Sequence, residues 1–190
     1  MNHPLNGNNP DDESAELGFK RLTSENVQLP DPVVSAFVRY SMQDDSIQTV
    51  STEEWAQIFL SVELSEHVPL EVRQLFAVAR GTLVYGFFFY PLYTLGAEQM
   101  LRVAETAVAQ KCRDVGVSAK KLERMSYRKR VKRLAHEGVF EPTAQLRWNL
   151  RHELRNLASH PEDQSIFTPG FAIDELKRIA SDIDGLFPDC

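Results

Sequence analysis

Three residues in "LRNLASHP", Leu154 to Pro161, have side chains suited to work on a phosphodiester: Arg155, Asn156 and His160. His160 precedes Pro161. The residue before a proline is disfavoured in the helical region, so the sequence predicts a helix ending at about Ser159 or His160. An imidazole at a helix C-terminus faces unpaired carbonyls that favour its cationic form, and it changes protonation state near neutral pH. Arg155 is a permanent cation whose planar fork suits a phosphate. Together the two could hold a phosphodiester and exchange a proton with one of its oxygens, and neither needs a metal for that. A plainer reading stands beside this one: basic residues in a last helical turn complement the helix dipole, and His-Pro is an ordinary stop.

A second concentration of chemistry lies in Lys111 to Leu134, "KCRDVGVSAKKLERMSYRKRVKRL", where ten basic residues face two acidic ones. Such a run invites a polyanion, and the candidates for holding one are Lys120, Lys121, Arg128, Lys129, Arg130, Lys132 and Arg133, with Arg151 on the following helix. A solvated helix face is the alternative. The rest of the chain is acidic, for the whole carries a net charge of −6. Only two cysteines occur, Cys112 and Cys190, without a C-x-x-C pair or companion histidines, so neither a structural zinc nor a disulfide framework is expected. No P-loop, dinucleotide fingerprint, H-E-x-x-H helix or Cys/His nucleophile pair is present in the sequence.

The elements that must position these residues read as helices throughout, and the expected class is all-α. Residues 1–28 are polar and acidic and read as a disordered tail without the features of a signal peptide, which suggests a cytoplasmic protein. Residues 29–74 read as an N-terminal helical extension: one helix over Asp31 to Met42, and a second opened at Ser51 by the capping-box pair Ser51 and Glu54. Residues 75–190 read as the bundle. Within it, Pro69 leads a helix to Gly86, and a long helix runs from Pro91 to Cys112. Ser126 caps a short basic helix that Gly138 stops, Pro142 starts the Arg155 helix, and an amphipathic helix closes the chain with Ile173, Leu176, Ile179, Ile183 and Leu186. Gly81 to Ala97 is uncharged for 17 residues, but Pro91, three glycines and the flanking Arg80 and Glu98 favour a buried hairpin over a membrane span.

On a helical wheel, Leu146, Leu150, Leu154 and Leu157 fall within about 80°, the expected core seam. Trp148, His152, Arg155 and Ser159 fall within about 60° on the other side, a face that needs a second partner, either another protomer, with Trp148 and His152 as candidates for the dimer interface, or a ligand.

"ELRNLASHP" resembles the signature of HEPN domains, the higher-eukaryote and prokaryote nucleotide-binding helical family: Arg, four to six residues, then His, with Asn, Asp or His favoured after the Arg. Arg155, Asn156 and His160 fill it, and the order of long helix, short Ser-initiated helix, motif helix and final amphipathic helix is similar over about residues 75 to 187. The resemblance implies an up-and-down helical bundle that dimerises with its motifs facing one another. It also implies a metal-independent endoribonuclease of a toxin or phage-defence system, without a cofactor. His160 would act on the ribose 2′-hydroxyl, Arg155 on the scissile phosphate, and Asn156 would orient the pair. The implied partners are a second copy, RNA, and a cognate antitoxin or regulatory protein, with no membrane. One departure is Glu162, where toxins neutralised by tyrosine modification carry Tyr. Two readings without catalysis remain: a helical module binding RNA, nucleotide or a protein partner, and a structural dimerisation bundle.

Overall fold

The computed structural model describes residues 18–35, 38–41, 45–158 and 167–189. Eight helices occur among them: α1 (Pro32–Ser35), α2 (Thr52–Leu60), α3 (Leu70–Tyr85), α4 (Leu92–Asp114), α5 (Ala119–Glu123), α6 (Tyr127–His136), α7 (Pro142–Ala158) and α8 (Pro169–Asp184). The fold is all-α, with one exception. Asp31 to Met42, expected as a helix, gives a single helical turn and then β1 (Val38–Ser41), which pairs antiparallel with β2 (Ser46–Thr49) in the register Val38 to Thr49. Val38, Tyr40, Ile47 and Thr49 are β-branched or aromatic, and a segment this short gains too little from helical bonds to override that preference.

α4 is the central element, packed against α3, α5, α6, α7 and α8. Pro91 and Pro69 stand at the N-caps of α4 and α3. Ser51 opens α2 with the expected reciprocal bonds, Glu54 N–H to its hydroxyl at 3.2 Å and its own N–H to the Glu54 carboxylate at 3.0 Å. The uncharged stretch is a hairpin, α3 folded back on α4, and none of the described helices is long and apolar enough to cross a membrane.

Two glycines allow this hairpin to close. A Cβ on Gly96 would lie 2.5 Å from Leu83 Cδ2, and one on Gly86 would lie 2.6 Å from Tyr93 Cζ. Tyr93 has no room to yield, since it is fully buried and its hydroxyl accepts the Trp55 indole N–H at 2.8 Å. Burial drives its phenol far above the ordinary value. Gly86→Ala is therefore expected to cost about 1–3 kcal/mol, read as a lowered urea midpoint at unchanged slope.

One core runs from Val34 to Phe187, across residue 75, where the sequence pattern suggested a boundary. Trp55 and Phe59 of α2 pack within it, and the Ser65 N–H reaches the Asp184 carboxylate at 2.9 Å. Residues 18–28, expected as tail, are fastened to it. Asp31 is fully buried; its carboxylate accepts the N–H of Tyr90 at 3.0 Å and of Val33 at 3.1 Å, and its own N–H donates to the Phe87 carbonyl at 2.8 Å. Lys20 donates its ammonium to the carbonyls of Asn26 and Leu29, and burial pulls its ionisation down against the charge of Asp31. Residues 1–17 lie outside the described residues.

Candidate nucleic-acid interface

The chain leaves α4 through Gly116, whose φ of +85° lies where side chains are strained. It then makes two short helices in succession, α5 and α6, with Ser118 and Ser126 at their N-cap positions, neither side chain making a capping hydrogen bond. Their apolar residues are sunk in the core: Leu122 from α5, and Tyr127, Val131 and Leu134 from α6. With those anchors fixed, the remaining positions of each helix are turned outward. Gly138, at φ +70°, ends the pair as the sequence expected.

The outward residues differ in what they meet. Arg128 pairs with Glu153 of α7, and Arg133 pairs with Glu137 at 2.6 Å. Arg130 is half-buried and donates to the Leu122 carbonyl at 3.1 Å. Of these three, all expected to meet RNA, Arg128 ties α6 to α7, Arg130 ties it to the Leu122 carbonyl of α5, and Arg133 pairs within its own turn. Lys120, Lys121 and Lys129 are exposed, and among the described residues none has a carboxylate within ion-pair reach. They line one open hollow of about 340 Å³ together with Arg124, Ser118 and Met125. Lys132 is also exposed but does not line it. The sequence pattern did not single out Arg124. It lies at the C-cap of α5, a five-residue helix too short to show a period, so nothing marked it off from the other basic residues of the run.

α7 reverses the expected wheel. Leu146 and Leu150 are 71% and 57% exposed, whereas Trp148 is buried in the core of its own chain, stacked on Phe140 with ring centroids 6.4 Å apart. Trp148 is thus not a free dimer face. Arg151, expected to meet RNA, is buried as well: its guanidinium spans Glu175, at 3.3 Å, and Asp182 of α8, and lies over the Trp148 ring at 5.1 Å. Arg147 joins at 2.9 Å from Asp182.

The cause is on α8. Glu175 and Asp182, seven residues apart, share the face turned to α7. Covering two carboxylates with leucines would cost several kcal/mol per charge, against about 1.5–3 kcal/mol gained per buried leucine. Arg147 and Arg151, one turn apart, meet both carboxylates, so α7 rotates to them. Burial pulls the Asp182 carboxyl upward, but the hydrogen bonds and charges of Arg147 and Arg151 prevail and leave it below the usual carboxylate value.

Arg155 and Asn156 belong to the last described turn of α7. Their side chains, those of His152, Leu154 and Leu157, and His160 altogether lie outside the described residues. α7 is held on two sides before that turn begins: by Arg147 and Arg151 to α8, and by Glu153 to Arg128 of α6. Its end is therefore presented by a helix of fixed rotation. No model of a known family, no curated protein and no solved structure matches the chain.

Proposed function

We propose that the protein binds RNA across the α5–α6 face and cuts it, as a HEPN-type endoribonuclease, at the end of α7. The observation that carries the binding is the division among the basic residues: four cations without carboxylate partners among the described residues gather at one hollow, while their neighbours are spent on structure. Clustered cations of this kind are the electrostatic footprint of a phosphate backbone. Cleavage rests on the resemblance of Arg155, Asn156 and His160 to the family motif and on the clamped helix that carries the first two. His160 would take the ribose 2′-hydroxyl proton, the 2′-oxygen would attack phosphorus, and the 5′-oxygen would leave with a proton, giving a 2′,3′-cyclic phosphate. Arg155 would hold the charge that grows on the phosphate oxygens.

Replacing Lys120, Lys121, Arg124 and Lys129 by Gln is expected to weaken RNA binding across sequences. It should also flatten the dependence of log affinity on log salt by about 0.7 for each phosphate that is no longer neutralised. An unchanged slope in a salt titration removes this face from the binding surface. Arg155→Lys keeps the charge and loses the fork, so it should bind RNA almost normally and cut poorly.

A dimer of this chain would use the outer face of α7, Leu146 and Leu150, in place of Trp148. Sedimentation of Leu150→Glu is expected to show a monomer where the wild type is a dimer. A second reading is an RNA-binding module that does not cut, since the four cations of the hollow belong to α5, its C-cap and α6.

A further inference from the structure

We infer that the hollow between α5 and α6 is a seat for a run of adjacent phosphates, such as the 5′-triphosphate end of an RNA, and not merely a stretch of track for a passing backbone. The inference rests on the reading of this face as RNA-binding and is independent of cleavage at α7.

Four cations, Lys120, Lys121, Arg124 and Lys129, line a hollow of about 340 Å³, near the small end of the range for ligand sites. Along a backbone each phosphate carries one charge and is set apart from the next by a sugar. A terminal triphosphate near neutral pH carries roughly four negative charges on three directly joined groups, because its last group titrates near pH 6. Directly joined phosphates therefore match the clustered cations more closely than a passing strand does.

The lining points the same way. Among the described residues it holds no carboxylate that would repel a polyphosphate and no aromatic ring on which a base would stack. Ser118 adds a hydroxyl donor, and Met125 is the one apolar residue. Recognition is thus of phosphate and indifferent to the base. The cations also come from separate stretches: Lys120 and Lys121 from α5, Arg124 from its C-cap, and Lys129 from α6. Leu122 and Tyr127, both buried, hold these stretches at their spacing. Free tripolyphosphate or a nucleoside triphosphate presents the same chemistry, and the source is a matter for measurement.

The test is fluorescence anisotropy with short 2′-O-methyl RNAs, which cannot be cut through the 2′-oxygen, of one sequence and three 5′ ends: triphosphate, monophosphate and hydroxyl. The triphosphate end is expected to bind at least about tenfold tighter than either of the others. Lys121→Gln with Arg124→Gln should reduce that preference to under about twofold, Arg124→Lys should retain part of it, and Lys177→Gln on α8 should keep it in full. Every side chain replaced is exposed, so helical circular dichroism should not change. Equal affinity for the three ends overturns the inference and leaves RNA binding standing. If no RNA binds but tripolyphosphate or ATP binds wild type and not the Lys121/Arg124 variant, the phosphate seat holds and the RNA reading fails. Tripolyphosphate binding that is the same in wild type and variant overturns the seat.

Discussion

His160→Ala is expected to lower RNA turnover by about 10²- to 10⁴-fold and to leave RNA affinity near the wild-type value, the range expected when a general acid–base group is removed. The two quantities separate because affinity is assigned to the α5–α6 cations and proton transfer to the imidazole. Mixed RNA incubated in excess chelator should be cut by the wild type to products ending in a 2′,3′-cyclic phosphate, and DNA should be spared for want of a 2′-hydroxyl. A variant that cuts at the wild-type rate makes "LRNLASHP" a helix terminus and nothing more. Cleavage abolished by chelator would instead show that the reaction needs a metal ion, which the proposed chemistry does not.

Arg151→Met is expected to cost about 3–5 kcal/mol at neutral pH, because it leaves the partly buried Glu175 and Asp182 with one of their two cations gone. Arg147, 54% exposed and bound to Asp182 alone, replaces little of it. The double replacement Arg151→Met with Glu175→Gln should recover part of the stability, since one of the two stranded charges is removed with its partner. The penalty also has a pH signature. The folded-state value of Asp182 is held below its unfolded value of about 3.9, so the stability it contributes is present above that pH and disappears as pH falls through the folded value. Wild type and Arg151→Met should therefore converge in urea midpoint below about pH 4. A gap that stays constant from pH 7 to pH 3 would mean that Arg151 acts by packing on Trp148 and not by its charge.

Except for α5, the helices from residue 51 onward were legible because their start and stop signals are local: Ser51 with Glu54, Ser126, Pro142 and Gly138 act within one turn. The hairpin of β1 and β2 was not, since Pro32 gives a valid helix start and nothing within four residues announces that the partner strand outweighs it. The wheel of α7 failed for a different reason. Its period was right and its two faces were correctly separated, but which face turns inward is decided by Glu175 and Asp182, more than twenty residues away. Periodicity assigns leucines inward by default, and a buried arginine is invisible to it. The basic run was legible as a run only. That Arg128, Arg130 and Arg133 are occupied and Lys120, Lys121, Arg124 and Lys129 are not depends on Glu153, Glu137 and the Leu122 carbonyl, and on where α5 stops.

The bond between the Ser65 N–H and Asp184 joins residues 119 positions apart, and α8 covers one side of α4 while reaching α2. In a growing chain this has a temporal meaning. α2, α3 and α4 emerge from the ribosome with their mutual contacts available, yet the flank of α4 that α8 will cover stays bare until residue 186 or so has cleared the exit tunnel. At about 5–20 residues per second, the stretch from Asp114 to Leu186 is several seconds of synthesis during which an apolar surface is open to chaperones and to other nascent chains.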